Sequence, residues 1–385
     1  MHGEQLSSTT SGAPGAVTLA TAAGTAAYAA QFPQFARTLH FRTLRLPEPC
    51  RISSLGLGSY LGPADDATDA GYEAALQTAL AGGINLVDTA INYRHQRSER
   101  ALGRALAASG VPRDQVFLCS KAGFVPFDGD MPVDARRYIE DTYLRPRLIP
   151  PGQLAAGAHC MAPVFLAGQL QRSLDNLGVS ALDVFYVHNP ETQQAELSRE
   201  EFYRRLRLAF ELLEKQAALG RIRAYGVATW NGLRVPPDAV DYLDLNRMVA
   251  TARELAGEQH HFRFVQLPYN LAMPEAFTLL NQTVEKPPYV STLNAAFRLG
   301  LHSITSASLM SGRLSEIPQE GRQYVQTFLP EAASDAELAL QFVRSTGSVT
   351  AALVGMSNPA HVTANLRAAA VAPAPPSQVG KMLQQ

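Results

Sequence analysis

Apolar and polar positions along this chain follow two rhythms. Short runs that are apolar nearly throughout recur at RISSLGLGS (51–59), INLVDTA (84–90), QVFLCSK (115–121), LDVFYVH (182–188), IRAYGVA (222–228), RFVQLPY (263–269), LHSITSA (301–307) and AALVGM (351–356). Most are β-branched or aromatic, the pattern of parallel strands covered on both faces. Between them, apolar residues fall at three- and four-residue spacings, as in DAGYEAALQTALAGG (69–83), SERALGRALAAS (98–109), APVFLAGQLQRSLDNLG (162–178), REEFYRRLRLAFELLEKQAALG (199–220) and DAELALQFVRSTG (335–347). That spacing predicts amphipathic helices, several of them stopped by glycine. Eight strands alternating with helices predict an α/β fold of the closed (β/α)8 TIM-barrel type, as a single domain over residues 38–370. Ahead of the first strand, FRTLRLPEPCRI (41–52) predicts a small hairpin turning at Pro47-Glu48-Pro49.

One segment imitates a different fold. Gly56, Gly58 and Gly62, then a helix, then Asp88 at a strand end, resemble a dinucleotide-binding βαβ unit. The glycine spacing is one residue longer than the common fingerprint. A doubly wound sheet also needs a later break or crossover, which the even alternation does not show, so the barrel is preferred. The connection after the third strand, from Ala122 to about His159, is unusually long and belongs to the catalytic face of a barrel. Its DARRYIEDTYL stretch (134–144) is locally helical, and we expect an ordered lid there.

The ends differ in composition from the body. Residues 1–37 are rich in Ala, Thr, Ser and Gly, and Met1 to Gly15 contain no Lys or Arg, so the stretch lacks the basic start of a signal peptide. It is expected to be a flexible N-terminal arm, with a short docking helix at GTAAYAAQF. Residues 371–385 are expected to be a tail whose Pro/Ala-rich piece cannot hold a helix. Of the 385 residues, 46% are hydrophobic and 17% charged, with a net charge of −1. A large core is therefore available, and a basic nucleic-acid footprint is absent. No window is long and apolar enough for a membrane span. Three scattered cysteines, Cys50, Cys119 and Cys160, suit a reducing, cytoplasmic location better than a disulfide framework.

Four ionisable residues fall at or just past three consecutive strand ends: Asp88, Tyr93, Lys121 and His188. Singly, each has a plain structural reading. Together they make a coherent site, because a Lys ammonium beside a Tyr hydroxyl favours the phenolate and lowers the Tyr pKa. Asp88 can hold the ammonium, and His188 can hydrogen-bond to a substrate oxygen. Such a phenol can pass a proton to a carbonyl. His159-Cys160-Met161 and His260-His261 carry metal-capable atoms without a spaced second pair, so no metal is expected. There is no G-x-S-x-G elbow for a serine nucleophile.

These residues resemble the aldo-keto reductases. The family's Asp-Thr-Ala-x-x-Tyr signature is present as Asp88-Thr89-Ala90-Ile91-Asn92-Tyr93, followed by Ser98-Glu99, with Lys121 and His188 completing its tetrad in order. The likeness runs from about Phe41 to Leu366. It implies an NADPH- or NADH-dependent oxidoreductase acting on a small carbonyl or alcohol, with Tyr93 as general acid/base, Lys121 tuning it, Asp88 pairing with Lys121 and His188 orienting the carbonyl. By the same resemblance, Ala228, Thr229, Gln266 and Ser306 take the nicotinamide side. Leu309, Ser311, Gly355, Ser357, His361 and Asn365 take the phosphate and adenine side. Several positions depart from the family pattern: Ala228-Thr229 stand for a Ser-Asn pair, Ser306 for an aromatic residue, Gly355 for a lysine and His361 for an arginine. Without that arginine a 2′-phosphate loses its fork of donors, which opens NADH use. Arg94, where the family often has glycine, reads as a solvated surface residue, with an anionic substrate as the alternative partner. Two other functions fit the same barrel: a cofactor-binding redox sensor or scaffold with little catalysis, and a lyase or isomerase without nicotinamide. Protein partners are not indicated by any segment.

Overall fold

A computed structural model describes residues 18–383. Eight parallel strands close into a barrel in chain order: β1 (Leu55–Gly58), β2 (Leu86–Asp88), β3 (Phe117–Ala122), β4 (Leu182–His188), β5 (Ile222–Ala228), β6 (Phe262–Pro268), β7 (His302–Ser306) and β8 (Val349–Gly355), with β8 pairing back onto β1. Eight helices follow them in turn: α1 (Asp66–Gly82), α2 (Arg97–Ala108), α3 (Pro163–Leu177), α4 (Arg199–Ala218), α5 (Leu245–Ala256), α6 (Thr292–Arg298), α7 (Asp335–Ser345) and α8 (Pro359–Ala370). This is the expected (β/α)8 barrel, and not the doubly wound sheet that the glycines imitate. Gly56 and Gly58 lie within β1, and Gly62 turns the following loop at φ 98°.

The helices start and stop where local chemistry dictates. Side chains of Asp65, Ser198, Asp244, Ser334 and Asn358 cap the first turns of α1, α4, α5, α7 and α8, satisfying backbone N–H groups that have no partner inside the helix. Gly83 and Gly178 end α1 and α3 in the left-handed conformation at φ 106° and 65°. The strands are buried on both faces. Leu86, Phe117, Cys119, Val184, Phe264 and Ile304 fill the barrel interior, and a larger apolar shell joins strands to helices.

Three local expectations change in the structure. The run 51–59 is not one strand: Arg51–Ser53 pairs antiparallel with Phe41–Thr43 in the expected hairpin, and β1 starts afresh at Leu55. Leu44, Cys50 and Ile52 of that hairpin join the barrel-interior cluster, so it plugs the barrel. A second hairpin, Leu280–Val284 with Lys286–Ser291, lies before α6 where no strand is expected. In the tail, the Pro/Ala-rich piece is non-helical only to Pro375. A helix then runs over Pro376–Leu383, with its proline at the first position, where the missing N–H costs nothing.

From Thr18 onward the N-terminal segment packs on the barrel. Thr21 caps a helix at Ala22–Ala30, and the buried Tyr28 hydroxyl donates to the Leu80 carbonyl at 2.6 Å. Residues 1–17 of the expected arm lie outside the described residues. The buried Arg344 of α7 is a second tie. Its guanidinium donates to Ser54, Gln341 and the carbonyls of Thr38, Ala368 and Val371, joining the start of the barrel to the C-terminal end of α8. Among the described residues no helix is long and apolar enough to cross a membrane.

Candidate active site

The strand ends place the site. Asp88 and His188 are the last residues of β2 and β4, Lys121 is the penultimate residue of β3, and Tyr93 stands five residues past Asp88. These ends open into a cavity of about 860 Å³, within the size range of small-molecule sites. Asp88, Tyr93 and His188 line it, while Lys121 lies beneath, wholly buried. The four residues singled out in the sequence therefore converge.

Their contacts form a chain. The Lys121 ammonium bonds to Asp88 Oδ1, donates to the Thr89 carbonyl at 2.8 Å, and reaches the Tyr93 hydroxyl at 3.4 Å. Asp88 Oδ2 accepts from the Gln266 amide at 2.9 Å. The Tyr93 ring meets His188 edge-on at 5.7 Å and Tyr60 at 5.0 Å. Burial disfavours the Lys121 cation, but Asp88 and Tyr93 outweigh it and hold its pKa above the usual lysine range. Burial raises the Tyr93 phenol; Lys121 opposes that rise but does not reverse it. The expected lowering of the Tyr93 pKa is thus outweighed by desolvation, and the resting hydroxyl is a protonated donor. Burial, then the charge of Lys121, keeps His188 well below its usual pKa, so the imidazole is neutral at physiological pH.

His188 is held from behind. His159 Nε2 bonds to the His188 carbonyl at 2.7 Å, Gln193 Nε2 bonds to His159 Nδ1 at 3.1 Å, and Phe124 lies edge-on to both imidazoles. A side chain at Gly123 would come within 2.6 Å of His159 Nε2, so glycine permits this close approach. His159, metal-capable but bland in the sequence, is therefore a support for His188. The long connection containing it is ordered, with helical turns at Ala135–Ile139 and Glu140–Leu144. It packs Tyr143 and Ile149 into the outer core, and of its residues before His159 Phe124 alone reaches the cavity wall. The expected lid does not cover the site.

The cavity continues from Tyr93 toward β7 and β8. Ala228, Thr229, Gln266 and Ser306 line its middle, and Leu309, Ser311, Gly355, Ser357, His361 and Asn365 its far end. All ten positions that the resemblance assigns to a cofactor thus share one wall with Tyr93. Thr229 Oγ1 and Ser308 Oγ are buried there without a partner, as are Asn92 Oδ1 and His188 Nδ1 nearer Tyr93. Unpaired buried polar atoms are costly, and a bound polar ligand would satisfy them. The residues present thus fit a nicotinamide nucleotide, although no Lys or Arg stands among those lining the cavity.

Arg94 departs from both of its expected readings. Its side chain is 2% exposed and ion-paired with Asp69, and it donates to the carbonyls of Pro63 at 2.8 Å and Asp65 at 3.1 Å. Those acceptors, on the loop after β1 and the first turn of α1, hold Nε and Nη2, while Nη1 is buried without a partner, so the side chain is neither solvated nor exposed to an anion in the cavity. Sequence reasoning also passed over Tyr60, Asn92, Phe124 and Asn189 as wall residues. Their signal was position: each follows the end of β1, β2, β3 or β4, on the face where barrel sites form. Ser98 and Glu99 act at one remove. Ser98 donates to the Ser59 carbonyl at 2.8 Å, and the buried Glu99 carboxylate accepts from Ser120 at 2.6 Å and Asn176 at 2.9 Å, tying α2 to β3 and α3.

Comparison with known proteins agrees with this fold. A model of the aldo/keto reductase family matches residues 54–327, and the chain belongs to that family. An aldo-keto reductase of Mycobacterium avium (strain 104) is 26% identical over 188 residues, which are 49% of this chain and 48% of that protein. D-threo-aldose 1-dehydrogenase of a Pseudomonas species is 24% identical over 329 residues, covering 77% of this chain and 83% of the relative. An aldo/keto reductase structure from Klebsiella pneumoniae, in complex with NADP and acetate, superimposes with a TM-score of 0.59 at 20% identity, over 89% of this chain and 94% of the other. At that identity the likeness is one of fold. The aligned region spans about half the length of the mycobacterial relatives.

Proposed function

We propose that this chain is a nicotinamide-dependent oxidoreductase that reduces an aldehyde or ketone to an alcohol, or runs the reverse, with Tyr93 as general acid/base. The observation that carries the reading is the Asp88–Lys121–Tyr93 chain of contacts at the floor of the 860 Å³ cavity. When bound, the nucleotide supplies the hydride that a carbonyl carbon accepts. The protein's own part is placement and proton transfer. Tyr93, protonated at rest, donates its proton to the carbonyl oxygen, and the neighbouring Lys121 ammonium stabilises the phenolate left behind. Asp88 keeps that ammonium in place and is itself steadied by Gln266. Neutral His188 can donate a hydrogen bond to the same oxygen without adding charge. Thr229, Gln266 and Ser306 would hold the nicotinamide end, and Leu309, Ser311, Gly355, Ser357, His361 and Asn365 the phosphate and adenine end.

Two features support a neutral substrate. The wall near Tyr93 offers the aromatic rings of Tyr60, Phe124 and Trp230 and the amides of Asn92 and Asn189, with no Lys or Arg among the lining residues. One relative is named for an aldose, a neutral hydroxylated aldehyde. The same lack of cations supports NADH use beside NADPH, since a charged hydrogen bond to a phosphate contributes about 1.5–3 kcal/mol and no arginine stands at 361 to make one.

Trp230 is the only tryptophan and lines the cavity half-exposed, so it reports on occupancy. Titration with NADH and with NADPH is expected to quench it saturably, with the two dissociation constants within about threefold. Absence of quenching by either, with no heat in calorimetry, would remove the nicotinamide reading. A preference for NADPH of a hundredfold would show that another cation meets the 2′-phosphate.

A further inference from the structure

The backbone just past Tyr93 is unusual. Arg94, His95 and Gln96 stand at φ 49°, 57° and 71°, three consecutive residues in the left-handed region, and none is glycine. L-residues with a Cβ are strained there, and such a run persists only when its surroundings over-determine it. For Gln96 and His95 the surroundings come from the loop after β3: Gln96 Nε2 donates to the Phe127 carbonyl at 2.7 Å, and the Gly129 N–H donates to the His95 carbonyl at 2.8 Å. For Arg94 they come from the connection between β1 and α1 and from α1 itself. Its guanidinium bonds to the carbonyls of Pro63 and Asp65 and to Asp69, and sits 5.4 Å over the ring of Tyr72. Tyr72 in turn donates to the Leu61 carbonyl at 2.8 Å. The loop so gripped, between β1 and α1, carries Tyr60, whose ring is edge-on to Tyr93.

We propose that Arg94 is a positioning residue for Tyr93: through its grip on the 63–65 carbonyls and Asp69, it fastens the loop bearing Tyr60 to the segment bearing Tyr93 and so fixes the Tyr93 hydroxyl over Lys121. The proposal rests on the reading of Tyr93 as the general acid. Arg94 is not among the residues lining the cavity, so it acts only through its neighbours. The strain at position 94 is then tolerated because the side chain that makes it also makes the clamp. A glycine there would suit the backbone but could not bridge to the β1–α1 loop.

Arg94→Gly is a clean variant. Glycine adopts φ 49° without strain, and Asp69 keeps a partner in Arg97 at 2.8 Å, so no buried carboxylate is stranded. The full-length protein and its Tyr93→Phe, Arg94→Gly and doubly substituted forms are assayed with 4-nitrobenzaldehyde and saturating nucleotide. Nucleotide affinity is read from Trp230 fluorescence, and melting temperature is followed alongside. Arg94→Gly is expected to lower kcat by roughly 10- to 100-fold, the scale of a misplaced reacting group, with nucleotide affinity within about twofold of the parent. In the Tyr93→Phe background it is expected to change the residual rate by less than about twofold, because there is no hydroxyl left to position. Equal losses in both backgrounds, or a kcat within about twofold of the parent, would overturn the positioning role. If Tyr93→Phe itself keeps full turnover, the reading of the acid falls and the role falls with it, a different pattern from the first. Arg94→Lys keeps a charge opposite Asp69 but not the two carbonyl bonds, and is expected to lie between parent and glycine. Should the glycine variant not fold, a lysine variant with parental kcat would still overturn the proposal.

Discussion

The Tyr93→Phe protein is expected to fold normally, to bind nicotinamide nucleotide with parental affinity, and to lose about 10²- to 10⁴-fold in kcat, the usual worth of a placed general acid. The ring is kept, so its edge contacts with Tyr60 and His188 survive. Only the hydroxyl that faces Lys121 at 3.4 Å is removed. The pH dependence follows from the same geometry. Burial holds the phenol above its ordinary value of 10, and the acid form is the one present below the pKa. Reduction should therefore stay level across neutral pH and fall only on the alkaline side, whereas alcohol oxidation, which needs the phenolate, should rise with pH. Because His188 is held far below 6.5 by burial and by Lys121, no acidic inflection near 6.5 is expected from it. Stopped-flow and steady-state rates of reduction and oxidation from about pH 5 to 11 check both limbs. A Tyr93→Phe enzyme within tenfold of the parent would mean that another group delivers the proton.

Arg344→Met should be the most damaging single change to stability outside the site. The guanidinium is buried, and its partners are a hydroxyl, an amide oxygen and several carbonyls rather than a carboxylate. It serves as a cap on the C-terminal end of α8 and as a tie to Thr38 and Ser54 at the start of the barrel. Methionine fills similar volume but leaves those acceptors in the interior without donors, at about 1–3 kcal/mol for each one that water cannot reach. A net loss of about 3–5 kcal/mol is expected, read as a melting temperature lower by on the order of 5 °C for a chain this long. The cavity lies at the opposite end of the strands from Ser54, so kcat at low temperature should hold. A melting point within about 1 °C of the parent would show that water or neighbouring groups take over the acceptors.

The barrel was legible because its signal is periodic and redundant: eight apolar runs each separated by a helical spacing leave few other closures. Local exceptions were not. The hairpin over 41–52 was readable from its turn at Pro47-Glu48-Pro49, but its handover to the barrel within 51–59 was not, since Ser54 N donates to the His40 carbonyl and Ser53 N to Asn85, contacts with distant residues. The hairpin at 280–291 was hidden by Pro287 and Pro288, which argue against a strand and are tolerated here in an isolated two-stranded ribbon. In the site, Asp88, Lys121 and His188 could be read because strand ends in a barrel all point to one mouth. Arg94 could not, because its acceptors come from the loop after β1, and exposure is not written in a residue's own neighbours. The direction of the Tyr93 shift escaped for a related reason. The sequence shows which charges stand near, but the desolvation that outweighs Lys121 comes from packing around the cavity floor by residues distant in the chain.

Hydride delivery to a carbonyl over Tyr93 can be observed directly. The purified chain is incubated with 4-nitrobenzaldehyde and NADPH or NADH deuterated at C4 of the dihydronicotinamide, each face in turn, and the alcohol is analysed by mass spectrometry and NMR. One deuterium on the carbinol carbon, from one face only and lost in Tyr93→Phe, is the expected outcome. Alcohol formed without label from either face, or with equal label from both, would contradict a single bound geometry in this cavity.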